Sequence, residues 1–130
     1  MKARNLQVGI VPADLQRSLS FYRDTIGLDY DGVIELGDGR ALHMFNVGDA
    51  VLKLWESAEQ PGEAPSGPSW EQLTGIRWVS LYVDELDAAV DRCLKAGAPV
   101  PMPATEIRPG LRVANVSDPD GNRVELIEQH

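Results

Sequence analysis

The chain has 130 residues, with 12 Lys and Arg against 20 Asp and Glu, a formal net charge of −8. That length suits one domain or two small modules sharing a core. The acidic balance excludes a surface built to neutralise phosphate, so nucleic acid is not an expected partner. A single cysteine, Cys93, excludes an internal disulfide framework and a Cys-rich zinc site.

Leu6 to Val11 reads as a short apolar strand, broken by Pro12 and Ala13. Asp14 then suits a helix N-cap, its carboxylate accepting from free first-turn amides. Leu15, Leu19, Tyr22 and Ile26 recur at helical spacing, and Gly27 ends the helix. Strands are expected over Gly32 to Leu36, Ala41 to Val47 and Ala50 to Trp55, with turns at Gly37-Asp38-Gly39 and Gly48-Asp49. Residues 57–75 hold a Pro- and Gly-rich stretch that cannot sustain a regular element, with Trp70 and Leu73 tacking its end down.

The order then repeats. Arg77 to Val83 is a strand, and Asp84 or Glu85 opens a helix. Leu86, Ala89, Val90, Cys93 and Leu94 share one face of that helix, and Gly97 closes it. Pro99 to Pro109 can hold only an irregular edge strand. Leu111 to Ser117 and Arg123 to Ile127 are strands joined by the turn Asp118-Pro119-Asp120-Gly121-Asn122. The chain is therefore expected to divide into a β-α-β-β-β module over 1–56, a linker over 57–75 and a second such module over 76–130. No apolar run approaches the roughly 20 residues of a membrane span, and the first residues lack a signal-peptide core. A cytoplasmic protein without a membrane partner is the expectation.

Side chains alternate across a strand, so parity sorts each into two faces. Val8 with Ile10, Leu52 with Leu54, Val79 with Leu81, and Val124 with Leu126 make aliphatic faces that helices can cover. The opposite faces carry Gln7, Lys53, Trp55, Trp78, Ser80, Tyr82 and Glu125. A two-residue turn at Gly48-Asp49 adds Asn46 and Met44 to that side and turns His43 toward the helix. Asn115 is expected to face Glu125. Aromatic walls with a few polar groups suit a lined concavity for an organic ligand. Ser-His-Asp and Cys-His pairs and a phosphate loop of the Gly-x-x-x-x-Gly-Lys type do not occur in the sequence.

Gln7-Val-Gly-Ile-Val-Pro-Ala-Asp-Leu-Gln-Arg-Ser-Leu-Ser-Phe-Tyr22 with Ile26-Gly-Leu28, and the closing Ser117-Asp-Pro-Asp-Gly-Asn-Arg-Val-Glu-Leu126, resemble the vicinal oxygen chelate superfamily. That group includes glyoxalase I, bleomycin-resistance proteins, extradiol dioxygenases and methylmalonyl-CoA epimerase. The resemblance implies an α+β fold of two tandem βαβββ modules, whose curved mixed sheets surround a cup with the helices outside. It also implies a homodimer. The family's four metal-ligand positions fall on Gln7, Lys53, Trp78 and Glu125. A Lys ammonium and a Trp indole donate no lone pair, so no metal and no other cofactor is expected. Lys53 and Glu125 are expected to form an ion pair where the metal would sit.

The leading expectation is a glyoxalase/bleomycin-resistance type protein that sequesters an aromatic or cationic small molecule such as an antibiotic. Its binding residues would be Gln7, Asn46, Lys53, Trp55, Trp78, Ser80, Tyr82, Asn115 and Glu125. The alternative is a metal-independent isomerase, cyclase or lyase, in which Glu125 moves a proton and Lys53 stabilises developing negative charge. A glyoxalase-like or dioxygenase metalloenzyme with altered ligands and a non-catalytic scaffold rank below these. Whether the chain is an enzyme is left open by the residues.

Overall fold

Repetition of the element order becomes two sheets of identical topology. The structure is a computed structural model and describes residues 2–63 and 70–130. It divides into two units, residues 1–63 and 64–130. The first contains β1 (Gln7–Ile10), α1 (Leu15–Leu19), β2 (Asp29–Gly37), β3 (Arg40–Val47) and β4 (Ala50–Glu56). The second contains β5 (Trp78–Tyr82), α2 (Leu86–Lys95), β6 (Met102–Arg108), β7 (Leu111–Ser117) and β8 (Arg123–Gln129). Strand order is β1-β4-β3-β2 in one sheet and β5-β8-β7-β6 in the other. In each, the first strand pairs parallel to the last, while the remaining pairs are antiparallel. A parallel pair needs a crossover, and the helix together with the two intervening strands supplies it.

Asp14 caps α1 as expected, its Oδ1 accepting from the Arg17 amide at 3.2 Å. The helix does not run to Ile26 in α form. From Ser20 to Thr25 it widens into a π-helical turn, with Ile26 N–H donating to the Phe21 carbonyl at 2.8 Å. The wider turn seats two adjacent aromatics in the core: Phe21 and Tyr22 are both buried and meet edge to face at 4.9 Å. Apolar spacing alone does not distinguish an α from a π turn, because both bury residues on one side. Tyr22 also neighbours Phe45, and Leu52 and Leu54 of β4 complete the core of this unit.

In the second unit α2 buries Leu86, Ala89, Val90 and Cys93 against the sheet. Leu94, expected on that face, is 57% exposed. It lies about 100° around the helix from Cys93, past the edge of the buried stripe. Below the helix lie Leu81, Ala114, Val116, Val124 and Leu126, all buried. The Pro-rich segment does form an edge strand, β6, with two register shifts against β7. Gly110 makes the turn into β7 at φ 80°, and a Cβ there would meet the His130 carbonyl oxygen at 2.9 Å. Only glycine therefore closes this hairpin without displacing the chain end.

Within the 57–75 segment, residues 64–69 lie outside the described residues, as does the Trp70 side chain. Among the described residues of the segment expected to lack regular structure, a 3-10 turn forms at Trp70–Gln72, and Leu73 is 37% exposed.

Candidate functional site

The helix-free face of the second sheet is built from a row of cross-strand neighbours. Ser80 pairs with Glu125, Glu125 with Asn115, and Asn115 with Met102, so one line crosses all four strands. The expected Asn115–Glu125 register is observed. Neighbours in register share a face, so these side chains are brought together by pairing alone. The Ser80 hydroxyl donates to Glu125 Oε1 at 2.8 Å. The Asn115 amide donates to the Met102 sulfur at 3.6 Å, while its own Oδ1 is buried with no hydrogen-bond partner. Trp78 and Tyr82 flank Ser80 along β5, on the same side, and are 48% and 71% exposed. Ser80, placed between two exposed aromatic residues along β5, thus holds a carboxylate of the neighbouring strand.

The corresponding face of the first sheet carries Gln7, Lys53, Trp55, Met44 and Asn46. Gln7 pairs with Val51, which pairs with Asn46. Lys53 lies between Gly9 and Met44. The expected Asn46–Val51 and Met44–Lys53 pairings are therefore present. Trp55 stands opposite Leu42 near the strand end. Lys53 belongs to the first unit and Glu125 to the second.

The helix-facing sides hold polar groups that the sequence left unassigned. His43 faces the helix side as expected, and its Nδ1 lies 2.8 Å from the Tyr30 hydroxyl. Its Nε2 is buried without a hydrogen bond, 3.7 Å from Glu56 Oε1. In the second unit Glu128 is 8% exposed and its Oε2 accepts from the Leu86 amide at 2.8 Å. Glu85, the N-cap of α2, makes no side-chain cap bond, so the cap comes from β8 instead. Arg112 joins this network, contacting Glu128 Oε1 at 3.4 Å and Asp87 through both guanidinium nitrogens. The Leu86 amide, then His130, with Arg112 adding to them, hold the Glu128 carboxyl below its ordinary range against the opposing effect of burial. Arg112 ties the helix to the sheet while staying partly exposed. The sequence signal for this was the parity of Arg112 and Glu128 with the aliphatic face, together with the absence of Ser, Thr, Asp or Asn at the position before α2. Burial pushes the Cys93 thiol up, which suits a packing residue rather than a nucleophile.

The paired βαβββ arrangement defines a glyoxalase-like class of fold. The chain belongs to the Glyoxalase/Bleomycin resistance protein/Dioxygenase superfamily, whose family model matches residues 5–126. It is 31% identical over 122 residues to "Putative glyoxylase CFP32" of Mycobacterium bovis, covering 92% of this chain and 43% of that protein. The chain therefore spans less than half the length of the curated relatives it matches. Among solved structures, a glyoxalase-family protein from Bacillus cereus superposes with a TM-score of 0.79 at 21% identity, covering 95% of this chain and 91% of that one. A glyoxalase/bleomycin resistance protein from Streptomyces sp. CB03234 is 26% identical with a TM-score of 0.67, covering 97% and 100%. Among the described residues no helix is long and apolar enough to cross a membrane.

Proposed function

We propose that the protein is a cytoplasmic, homodimeric small-molecule-binding member of this superfamily that works without a resident metal and sequesters an aromatic or cationic organic ligand such as an antibiotic. The observation carrying this reading is the hydrogen bond to Glu125 from Ser80, which lies between the exposed Trp78 and Tyr82 along β5. Planar ligands stack on aromatic faces, and a carboxylate on the neighbouring strand favours a ligand bearing positive charge or N–H donors. The unsatisfied Asn115 Oδ1 in the same row offers a second acceptor, reached by moving the flexible Met102 side chain. Gln7, Asn46, Lys53 and Trp55 would supply the polar and stacking groups of the first sheet.

The residues at the family's metal positions do not fit a metal. Lys53 and Trp78 present no lone pair to a cation, and one Glu125 oxygen already accepts a hydroxyl proton. Among the described residues no three His, Cys, Asp or Glu side chains are grouped so as to hold an ion. The same Ser80 anchor supports a second reading, a metal-independent isomerase, cyclase or lyase. It orients Glu125 so that the remaining oxygen can move a proton, with Lys53 stabilising negative charge.

A thermal-shift screen of planar aromatic cations against their neutral isosteres tests the binding reading. Cations raise the melting temperature of the wild type, and Trp78→Ala and Glu125→Gln abolish the shift while leaving the apo protein folded. A shift that survives both substitutions overturns the assignment. Recovery of the bound compound chemically unchanged separates a binder from an isomerase.

A further inference from the structure

We propose that the polar row across the second sheet recognises a planar forked cation, an amidinium or a guanidinium, which donates one N–H to Glu125 and another to Asn115. This rests on the binding reading above and names the head group of its ligand. Along the row Ser80, Glu125, Asn115 and Met102 stand side by side, one from each strand. The Ser80 hydroxyl engages Glu125 Oε1 at 2.8 Å, and among the described residues Oε2 accepts no hydrogen bond. Among those residues no Lys, Arg or His stands within ion-pair distance of Glu125, not even Arg123, two positions back on the same face of β8. The carboxylate therefore keeps one oxygen and its charge for a ligand.

Asn115 supplies the second acceptor. It is 2% exposed, its Nδ2 donates to the Met102 sulfur at 3.6 Å, and its Oδ1 is buried with no hydrogen-bond partner. A thioether accepts but cannot donate, so the amide turns its nitrogen to the sulfur and its oxygen is left over. A buried carbonyl oxygen without a donor is costly, and Met102 is a cover that moves easily about three rotatable bonds. Cross-strand neighbours hold their Cβ atoms about 5 Å apart, so the two acceptors suit two N–H donors carried on one rigid plane. A primary ammonium splays its donors from a single nitrogen, and a quaternary one has none. A carboxamide sets its own oxygen against one of the acceptors. An amidinium or guanidinium brings two coplanar nitrogens and the full charge that strengthens the bond to Glu125. The adjoining row on the same face, Tyr82, Ile127 and Val113 in register, is a seat for the ligand's apolar body.

Benzamidinium is the probe, with benzyltrimethylammonium (charge without N–H) and benzamide (the neutral isostere) as controls, each titrated into the intact chain by calorimetry. Benzamidinium is expected to bind about tenfold more tightly than either, the difference one well-met hydrogen bond makes. Its binding is also expected to shift the Asn115 side-chain amide resonances in NMR spectra, whereas benzyltrimethylammonium leaves them in place. Asn115→Leu, close in volume, is expected to cut the preference for benzamidinium over benzyltrimethylammonium to about threefold or less. The probe comparison on the wild type needs no variant and decides the matter even where that substitution impairs folding. Equal affinity for benzamidinium and benzyltrimethylammonium overturns the fork while leaving the aromatic-cation reading in place. Benzamide binding as tightly as benzamidinium overturns the need for charge, and a preference unchanged in Asn115→Leu overturns the part given to Asn115. Failure of both cations to bind overturns the fork and the underlying reading together.

Discussion

The two units share one element order but hold their helices by different means. In the first, the helix is five residues long, caps itself through Asp14, and relaxes into a π turn that buries aromatic rings. In the second, the helix is ten residues long, its own N-cap residue makes no side-chain bond, and Glu128 from a distant strand caps it. The cores differ accordingly: Phe21, Tyr22 and Phe45 on one side, and aliphatic residues around Leu126 and Val124 on the other. A helix N-terminus needs an acceptor for its free amides, but the fold is indifferent to whether that acceptor is local or distant. The β-α-β-β-β plan is thus satisfied by two unrelated sets of side chains.

Removing the anchor of the aromatic core should have the largest effect. Tyr22 is completely buried between Phe21 and Phe45, and Tyr22→Ala is expected to cost about 3–5 kcal/mol by the measure of other large-to-small aromatic changes. Urea denaturation followed by far-UV circular dichroism reads this; a loss under about 1 kcal/mol would mean that the ring is not part of a packed core.

The distant cap gives an effect with a pH signature. The Leu86 amide and His130 hold the Glu128 carboxyl below the ordinary glutamate range in the folded chain. Its contribution to stability is therefore fully present above the unfolded-state value and is lost as pH falls through the folded one. Glu128→Gln should lower the melting temperature at neutral pH, and the gap from wild type should close as pH falls through and below the ordinary glutamate range. A gap that stays constant through this range would show that the carboxylate's charge has no part in holding the Leu86 amide.

The smallest effect compares the two caps directly. Asp14→Ala should cost about 1 kcal/mol, and Asp14→Asn much less, since Asn caps nearly as well. Glu85→Ala, at the equivalent position of α2, should change stability by under about 0.5 kcal/mol because no cap bond is lost. Equal costs at Asp14 and Glu85 would erase the distinction between a local and a distant cap.

Much of the site was legible because strand parity is a local property. Trp78, Ser80 and Tyr82 alternate in the sequence and so share a face wherever that strand goes. The Asp118–Asn122 turn is short enough to fix the register that sets Asn115 beside Glu125. The Ser80–Glu125 hydrogen bond spans 45 residues, and no local signal reports which strand lies beside which. The same holds for the approach of His43 to Glu56 and of Glu128 to the start of α2. Glu128 lies past the point where the apolar alternation fades, so its strand is expected to end at Ile127 but runs to Gln129.

The sequence by itself determined the two βαβββ repeats, the aliphatic and polar faces of the strands, the Asp14 cap and the glycines that close the turns. These depend on backbone preference and on periods of 2.0 and 3.6 residues, which act over a few neighbours. Tertiary structure alone decided the π turn, the cap from Glu128, the role of Arg112 and the buried nitrogen of His43. Each of these depends on which distant chain segment arrives beside a backbone group, a charge or a ring, and that is set by how whole elements pack.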